Sequence, residues 1–224
     1  MVIKMKQNAP QVAIIDYGMG NIFSVKAACE HVGLTAIITS SRQDILDSDA
    51  VILPGVGAFG DAMEVLRKND LIDTLHKVAD SEKPLVGICL GMQLLMSRSS
   101  EFGNHTGLGV IPGNVVRLDN PIGPAGTLKV PHVCWNRMYR AGATWDDSSL
   151  HGIDNGAFMY FVHSFYVIPE NKDVVIATTT YGHIEFCSAL KHRNIFACQG
   201  HPERSGKSGL VLYRNLARTL GVKQ

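Results

Sequence analysis

The segment Pro84-Leu85-Val86-Gly87-Ile88-Cys89-Leu90-Gly91-Met92-Gln93 decides the fold. Its first five residues form a short apolar run that reads as a buried strand, and Met92-Gln93-Leu94-Leu95-Met96 reads as the opening of a helix. A cysteine at such a junction, with a glycine two residues away on either side, needs a sharp turn whose crowding the missing Cβ atoms relieve. That turn lifts the sulfur above the sheet edge and places it at a helix N-terminus, where a thiolate is favoured over a thiol. A lone buried cysteine is more often a small hydrophobe, so the reading as a nucleophile needs support from elsewhere in the chain. Gln199-Gly200-His201-Pro202-Glu203 supplies it, directly after the apolar run Ile195-Phe196-Ala197-Cys198. On an extended segment, positions i and i+2 project to one side. His201 is therefore expected to face the sulfur while Glu203 orients its ring. A Cys–His–carboxylate set requires convergence in space, not adjacency in sequence.

Working outward toward the N-terminus, residues 11–15 read as a first strand, and the loop Tyr17-Gly18-Met19-Gly20-Asn21 leads into a helical pattern over 22–32. Strands are predicted at 36–39 and 50–53. Pro54-Gly55-Val56-Gly57 follows, then a helix with Phe59, Met63 and Leu66 at helical spacing and a further helical stretch around Leu71, Ile72, Leu75 and Val78,. Alternating strands and helices, with the strands wholly apolar, predict an α/β fold whose parallel sheet is covered on both faces. Beyond residue 105 the β-rich stretches 113–118, 156–167, 174–180, 184–190 and 195–199 predict antiparallel strands and hairpins, closed by a helix from about 205 to 220. No internal repeat or compositional break divides the chain. One domain over 11–224 is expected, with 1–10 a loose extension.

The composition narrows the function classes. Basic and acidic residues nearly cancel at 21 against 20, which leaves no electrostatic footprint for nucleic acid or an anionic membrane. No apolar run approaches the ~20 residues that span a bilayer, and the N-terminus lacks the apolar core of a signal peptide. The five cysteines form no C-x-x-C pair, which fits reduced thiols in the cytoplasm and gives no zinc spacing. Gly18-Met19-Gly20 misses the dinucleotide fingerprint because Phe23 stands where the third glycine belongs,. No P-loop occurs. Neither a metal nor a cofactor is expected.

Gly-x-Cys-x-Gly combined with His-Pro-Glu resembles the class I, triad-type glutamine amidotransferases. The ordered string Ile15 to Asn21, Leu53 to Phe59, Gly87 to Gln93, Pro131-His132-x-x-Trp135-Asn136 and Phe161-Val162-His163-Ser164 is similar, more narrowly, to the glutaminase subunits of imidazole glycerol phosphate synthases. The resemblance covers nearly the whole chain from residue 11. It implies a flavodoxin-like sheet flanked by helices, hydrolysis of L-glutamine through a thioester on Cys89, His201 as proton carrier and Glu203 as its orienting carboxylate. It further implies an oxyanion hole built from the N–H of Leu90 and one from Val56 or Gly57. Gly57, Gln93, Ser164 and Phe165 would grip the amino-acid end of the substrate. The ammonia would pass to a (β/α)8-barrel cyclase bound as a heterodimer, serving histidine biosynthesis in the cytoplasm. Asn21, Trp135, Asn136, Tyr160 and Arg204 are the candidates for that docking face. The chain departs from the family pattern at Cys134, Phe165, Gly200 and Arg204. Two alternatives remain open at this point: a paralogous glutaminase feeding ammonia to a sugar-modifying synthetase of surface-polysaccharide synthesis, and an inert regulatory or binding subunit.

Overall fold

In a computed structural model that describes residues 9–142 and 144–222, the chain begins as strand β1 (Gln11–Ile15), helix α1 (Ile22–His31), β2 (Thr35–Thr39), α2 (Arg42–Asp47), β3 (Ala50–Leu53), α3 (Phe59–Lys68), α4 (Ile72–Ala79), β4 (Leu85–Ile88) and α5 (Leu90–Leu94). It continues through β5 (Met96–Ser99), β6 (His105–Thr106), β7 (Ile111–Arg117), β8 (Ile122–Gly123), β9 (Gly126–Thr127), β10 (His132–Arg140), β11 (Ala157–His163) and β12 (Phe165–Pro169). Strands β13 (Val175–Tyr181), β14 (Ile184–His192) and β15 (Ile195–Cys198) precede the terminal helix α6 (Gly206–Thr219). Nine strands form one sheet in the order β11-β10-β13-β14-β15-β4-β3-β1-β2, and β12-β7-β5-β6 form a second. The strands β2, β1, β3, β4 and β15 run parallel. From β14 outward the pairing is antiparallel.

The reason for this layering lies in the strand sequences. All four residues of β3, β4 and β15 are buried, so these strands need cover on both faces. On one face α1 and α6 supply it through Val25, Cys29, Leu212 and Leu216. On the other, α2, α3 and α4 contribute Ile45, Phe59, Leu66 and Leu75, joined by Val115 and Val167 of the second sheet. Of the expected N-terminal extension, residues 1–8 lie outside the described residues. Pro10 is already tied to the sheet, its carbonyl accepting the Thr35 N–H at 2.9 Å.

Three local expectations are corrected. The helix expected over 92–96 is a single turn, Leu90–Leu94, and Met96 opens β5. The carbonyls of Leu94, Leu95 and Met96 are taken by the N–H groups of Leu108, Ile111 and Gly109, so no acceptor remains free to carry the helix further. Strand β15 is not purely antiparallel: it pairs antiparallel with β14 but parallel with β4, matching Cys198 to Ile88. Helix α2 was not foreseen, since its apolar signal reduces to the buried Ile45.

Candidate active site

Cys89 occupies the bend between β4 and α5 with φ +53° and ψ −107°, a backbone state that costs a non-glycine residue on the order of 1–3 kcal/mol. The surroundings hold it there. Its N–H donates to the Cys198 carbonyl at 2.8 Å, and its own carbonyl accepts from Gln93 N–H at 3.2 Å. The flanking glycines act by their lack of bulk. A Cβ on Gly91 would stand 1.8 Å from the Leu53 carbonyl oxygen, and one on Gly87 would stand 3.1 Å from the Ala197 Cβ. The single turn of helix therefore lies directly against the end of β3.

The parallel pairing of β15 with β4 brings the C-terminal motif to the same edge. The chain leaves β15 through Gln199 and Gly200, and His201 N–H donates to the Tyr160 carbonyl at 2.8 Å. The expectation of an extended His201–Glu203 segment is corrected: Pro202–Arg204 is a 3-10 turn with the proline at its start, where the missing N–H costs nothing. The turn itself folds Glu203 back, so that Oε1 lies 2.8 Å from His201 Nδ1, with both side chains almost fully buried. Burial alone would lower the His201 pKa, but the nearby Cys89 sulfur and the Glu203 carboxylate push it up to about 10, which favours the imidazolium. The far ring nitrogen, Nε2, is buried without a hydrogen-bond partner. Ser205 Oγ donates to the His201 carbonyl at 2.6 Å and accepts Tyr160 N–H at 3.0 Å, locking the turn to β11. Gly200 is confined too, because a Cβ there would already lie 3.3 Å from Met159 Cβ and Tyr160 O.

A cavity of about 170 Å³ opens onto the sulfur, lined by Val56, Gly57, Cys89, Leu90, Gln93, Glu101 and residues 162–165. It gathers the residues expected for the oxyanion hole and the substrate grip into one place. Leu90 N–H donates to the Gly55 carbonyl at 3.4 Å, so that donor is capped in this structure. Gln93 Nε2 donates to the Phe165 carbonyl at 2.9 Å and to Gln199 Oε1 at 3.2 Å, leaving the Gln93 Oε1 as its remaining polar atom. The Ser164 carbonyl accepts from Leu118 N–H, so both carbonyls of the Ser164-Phe165 pair are engaged.

Three residues here escaped sequence reasoning. Glu101 lines the cavity and accepts Phe59 N–H at 2.7 Å; burial lifts its carboxyl above the usual carboxylate range, which the Phe59 hydrogen bond partly counters. His163 also lines the cavity, and Gln199 is fully buried beside the sulfur. His163 and Gln199 lie within motifs quoted from the sequence but had no role assigned there; Glu101 carried no sequence signal. Among the described residues, no group of three or more His, Cys, Asp or Glu side chains could hold a metal ion.

The docking candidates separate. Trp135 is 51% exposed. It faces Tyr160 across the β10–β11 pair at 6.0 Å between ring centroids, and the Arg204 guanidinium lies 4.5 Å from the Tyr160 ring. Asn136 lies apart from them: strand alternation sends its side chain to the opposite face, where it contacts His132 and the Thr180 carbonyl. Asn21 stands at the start of α1.

A cysteine at a strained strand–helix bend, backed by a buried His–Glu pair on a parallel sheet, defines the triad class of amidotransferases, and the chain belongs to the class-I glutamine amidotransferase family, whose model matches residues 13–217. It is 44% identical over 212 residues to the imidazole glycerol phosphate synthase subunit HisH of Sulfurimonas denitrificans, covering 95% of this chain and 100% of that one. The subunit of the same name from Moorella thermoacetica is 45% identical over 206 residues, with 91% and 92% covered. Among solved structures, PurLQS from Thermotoga maritima has the same fold, with a TM-score of 0.72 over 95% of this chain and 99% of that chain at 17% identity.

Proposed function

We propose that this chain, over residues 11–224 as one domain, is the glutaminase subunit of an imidazole glycerol phosphate synthase in histidine biosynthesis. The buried His201–Glu203 pair beside Cys89, whose side chain lines one small cavity, carries the reading. Cys89 Sγ attacks the side-chain carboxamide carbon of L-glutamine. His201 Nε2 gives a proton to the departing nitrogen, ammonia leaves, and the acyl group remains on sulfur as a thioester. His201 then takes a proton from water, whose oxygen attacks the thioester and releases glutamate and the thiolate. Glu203 fixes Nδ1 as the protonated nitrogen of the neutral ring and stabilises the imidazolium.

The carbonyl oxygen becomes negative twice on this route. Leu90 N–H, together with one N–H from Val56 or Gly57, would receive that charge; one such donor is typically worth about 3–4 kcal/mol in the transition state. Leu90 becomes available once the Gly55–Val56 peptide turns its carbonyl away, a movement that swings the Val56 N–H inward. Gly57, Ser164 and Phe165 shape the outer cavity. The Gln93 Oε1 and the Glu101 carboxylate present acceptors to the substrate ammonium.

Ammonia released into bulk water is captured as ammonium, which is no nucleophile, so the acceptor chemistry must adjoin this site. A (β/α)8-barrel cyclase, docked as a heterodimer on the face bearing Trp135, Tyr160 and Arg204, meets that need. Five free cysteines favour a reducing compartment, the cytoplasm; among the described residues no helix is long and apolar enough to cross a membrane. Replacing Cys89 by Ala is expected to abolish glutamine-dependent synthesis by the complex and leave ammonium-dependent synthesis intact. Loss of both activities in a properly assembled complex would refute this division of labour.

A further inference from the structure

The Cys89 sulfur receives a hydrogen bond from a side-chain amide: Gln199 Nε2 lies 3.5 Å from Sγ. A primary amide can present either end, and the two ends act oppositely. An N–H stabilises a thiolate, whereas a carbonyl oxygen repels it. The polarity of Gln199 is set by its neighbours. Its Oε1 accepts from Gln93 Nε2, whose second N–H is spent on the Phe165 carbonyl.

That carbonyl is held from behind. It also takes His163 Nδ1 at 2.9 Å; because a carbonyl only accepts, Nδ1 carries the proton and Nε2 accepts. The acceptor faces His132 Nδ1 at 3.0 Å, so His132 donates there and receives Asn136 Nδ2 on its other nitrogen at 3.2 Å. Burial keeps both rings neutral, lowering His132 to about 4 and, with His132 adjacent, His163 to about 3. Asn136 is fixed in turn by donating to the Thr180 carbonyl at 2.9 Å and accepting Arg137 N–H at 2.7 Å. Each donor along this chain meets an acceptor. Turning Gln199 end over end would set its N–H groups against those of Gln93 and its oxygen against the sulfur.

We propose that Gln199 is a positioning residue for the glutaminase reaction, its N–H holding the Cys89 sulfur at the cavity in an orientation imposed through Gln93 and the Phe165 carbonyl. The proposal rests on Cys89 being the nucleophile. A purely structural role would require only that a buried amide be satisfied, and alkylation kinetics separate the two.

The full-length chain is treated with iodoacetamide at pH 7, and modification of Cys89 is followed by mass spectrometry in wild type, Gln199→Leu and Gln199→Glu. Both substitutions remove the N–H. The glutamate also keeps the shape of the side chain and its acceptance from Gln93 while setting an acceptor oxygen against the sulfur, so it reads the polarity of the contact separately from packing and serves alone if the leucine variant does not fold. Cys89 in the variants is expected to react about 10–100-fold more slowly, the worth of a hydrogen bond to a charged acceptor. Turnover of glutamine in complex with the cyclase should fall alongside, through kcat with KM held within about twofold. Thr179→Val, equally buried in β13 but outside the chain of bonds, should alkylate at the wild-type rate. Cys89 reactivity within twofold of wild type in either Gln199 variant overturns the proposal. A wild-type Cys89 that resists iodoacetamide overturns its reading as the nucleophile instead.

Discussion

Gly91→Ala tests whether the approach of α5 to β3 is what aims the nucleophile. On propensity alone the change should help, because alanine in a helix gains about 0.5–1 kcal/mol over glycine. Gly91 is not among the positive-φ glycines, so the backbone itself accepts the new residue. The obstacle is steric: the added Cβ would stand 1.8 Å from the Leu53 carbonyl oxygen, more than 1 Å inside the closest approach real Cβ atoms make. No rotamer change relieves a clash with backbone, so the turn of helix must move away from β3. Overpacking of this kind costs about 1–3 kcal/mol, and a contact this short belongs at the upper end, for a net loss of about 2 kcal/mol.

The same movement separates Cys89 and Leu90 from the Gly55 loop by about 1 Å, a displacement that can reduce turnover on the order of a hundredfold. Urea unfolding of the isolated chain would give the first quantity, and glutamate release by the assembled complex the second. A variant that unfolds at the wild-type urea midpoint and turns over glutamine within threefold of wild type would refute the argument that Gly91 is required for want of space.

Two further outcomes follow from the same geometry. His201 rises from an ordinary 6.5 to about 10 in the folded chain, against the pull of burial. Its stabilising contribution is therefore complete below about pH 6.5, declines as the pH climbs and is gone above 10. The stability difference between wild type and His201→Phe, followed by thermal unfolding from pH 6 to pH 10, should move against wild type across that window; a difference independent of pH would contradict the raised pKa. Trp135→Ala, at a half-exposed position, should leave thermal stability unchanged while weakening association with the proposed barrel cyclase by about 2 kcal/mol, the scale of an aromatic anchor. Unaltered affinity by titration calorimetry would remove Trp135 from the docking face.

The parallel core was readable because its strands are short, mostly apolar and punctuated by Gly and Pro, and because Cys89 sits between two glycines that only a tight turn explains. What sequence could not supply was the partnership of distant backbone groups. The helix pattern over residues 92–96 was sound as local propensity, yet the carbonyls of Leu94, Leu95 and Met96 are claimed by residues 108–111, and no periodicity announces that. The same holds for β15, whose apolar run says nothing of pairing parallel on one side and antiparallel on the other. Glu101 belongs to the cavity because Phe59 N–H draws its carboxylate inward across 42 positions. Gln199 went unread for a simpler reason: flanking a stronger motif, it looked like the end of a strand.

The site is held unevenly, and the unevenness bears on how a partner could act. The acid–base half is locked by the short His201–Glu203 pair and the Ser205 bonds beneath it, all buried or part-buried. The half proposed to receive negative charge depends on a loop whose Val56 is 42% exposed and whose grip on Leu90 is one hydrogen bond of 3.4 Å. Releasing a net hydrogen bond costs about 1 kcal/mol, while each donor freed for the oxyanion is worth about 3–4 kcal/mol in the transition state. The balance favours turnover only if the turned loop is itself held in place. An exposed loop bordering the cavity is where a docked subunit can provide that hold, so the proposed activation by a partner requires no change in the triad.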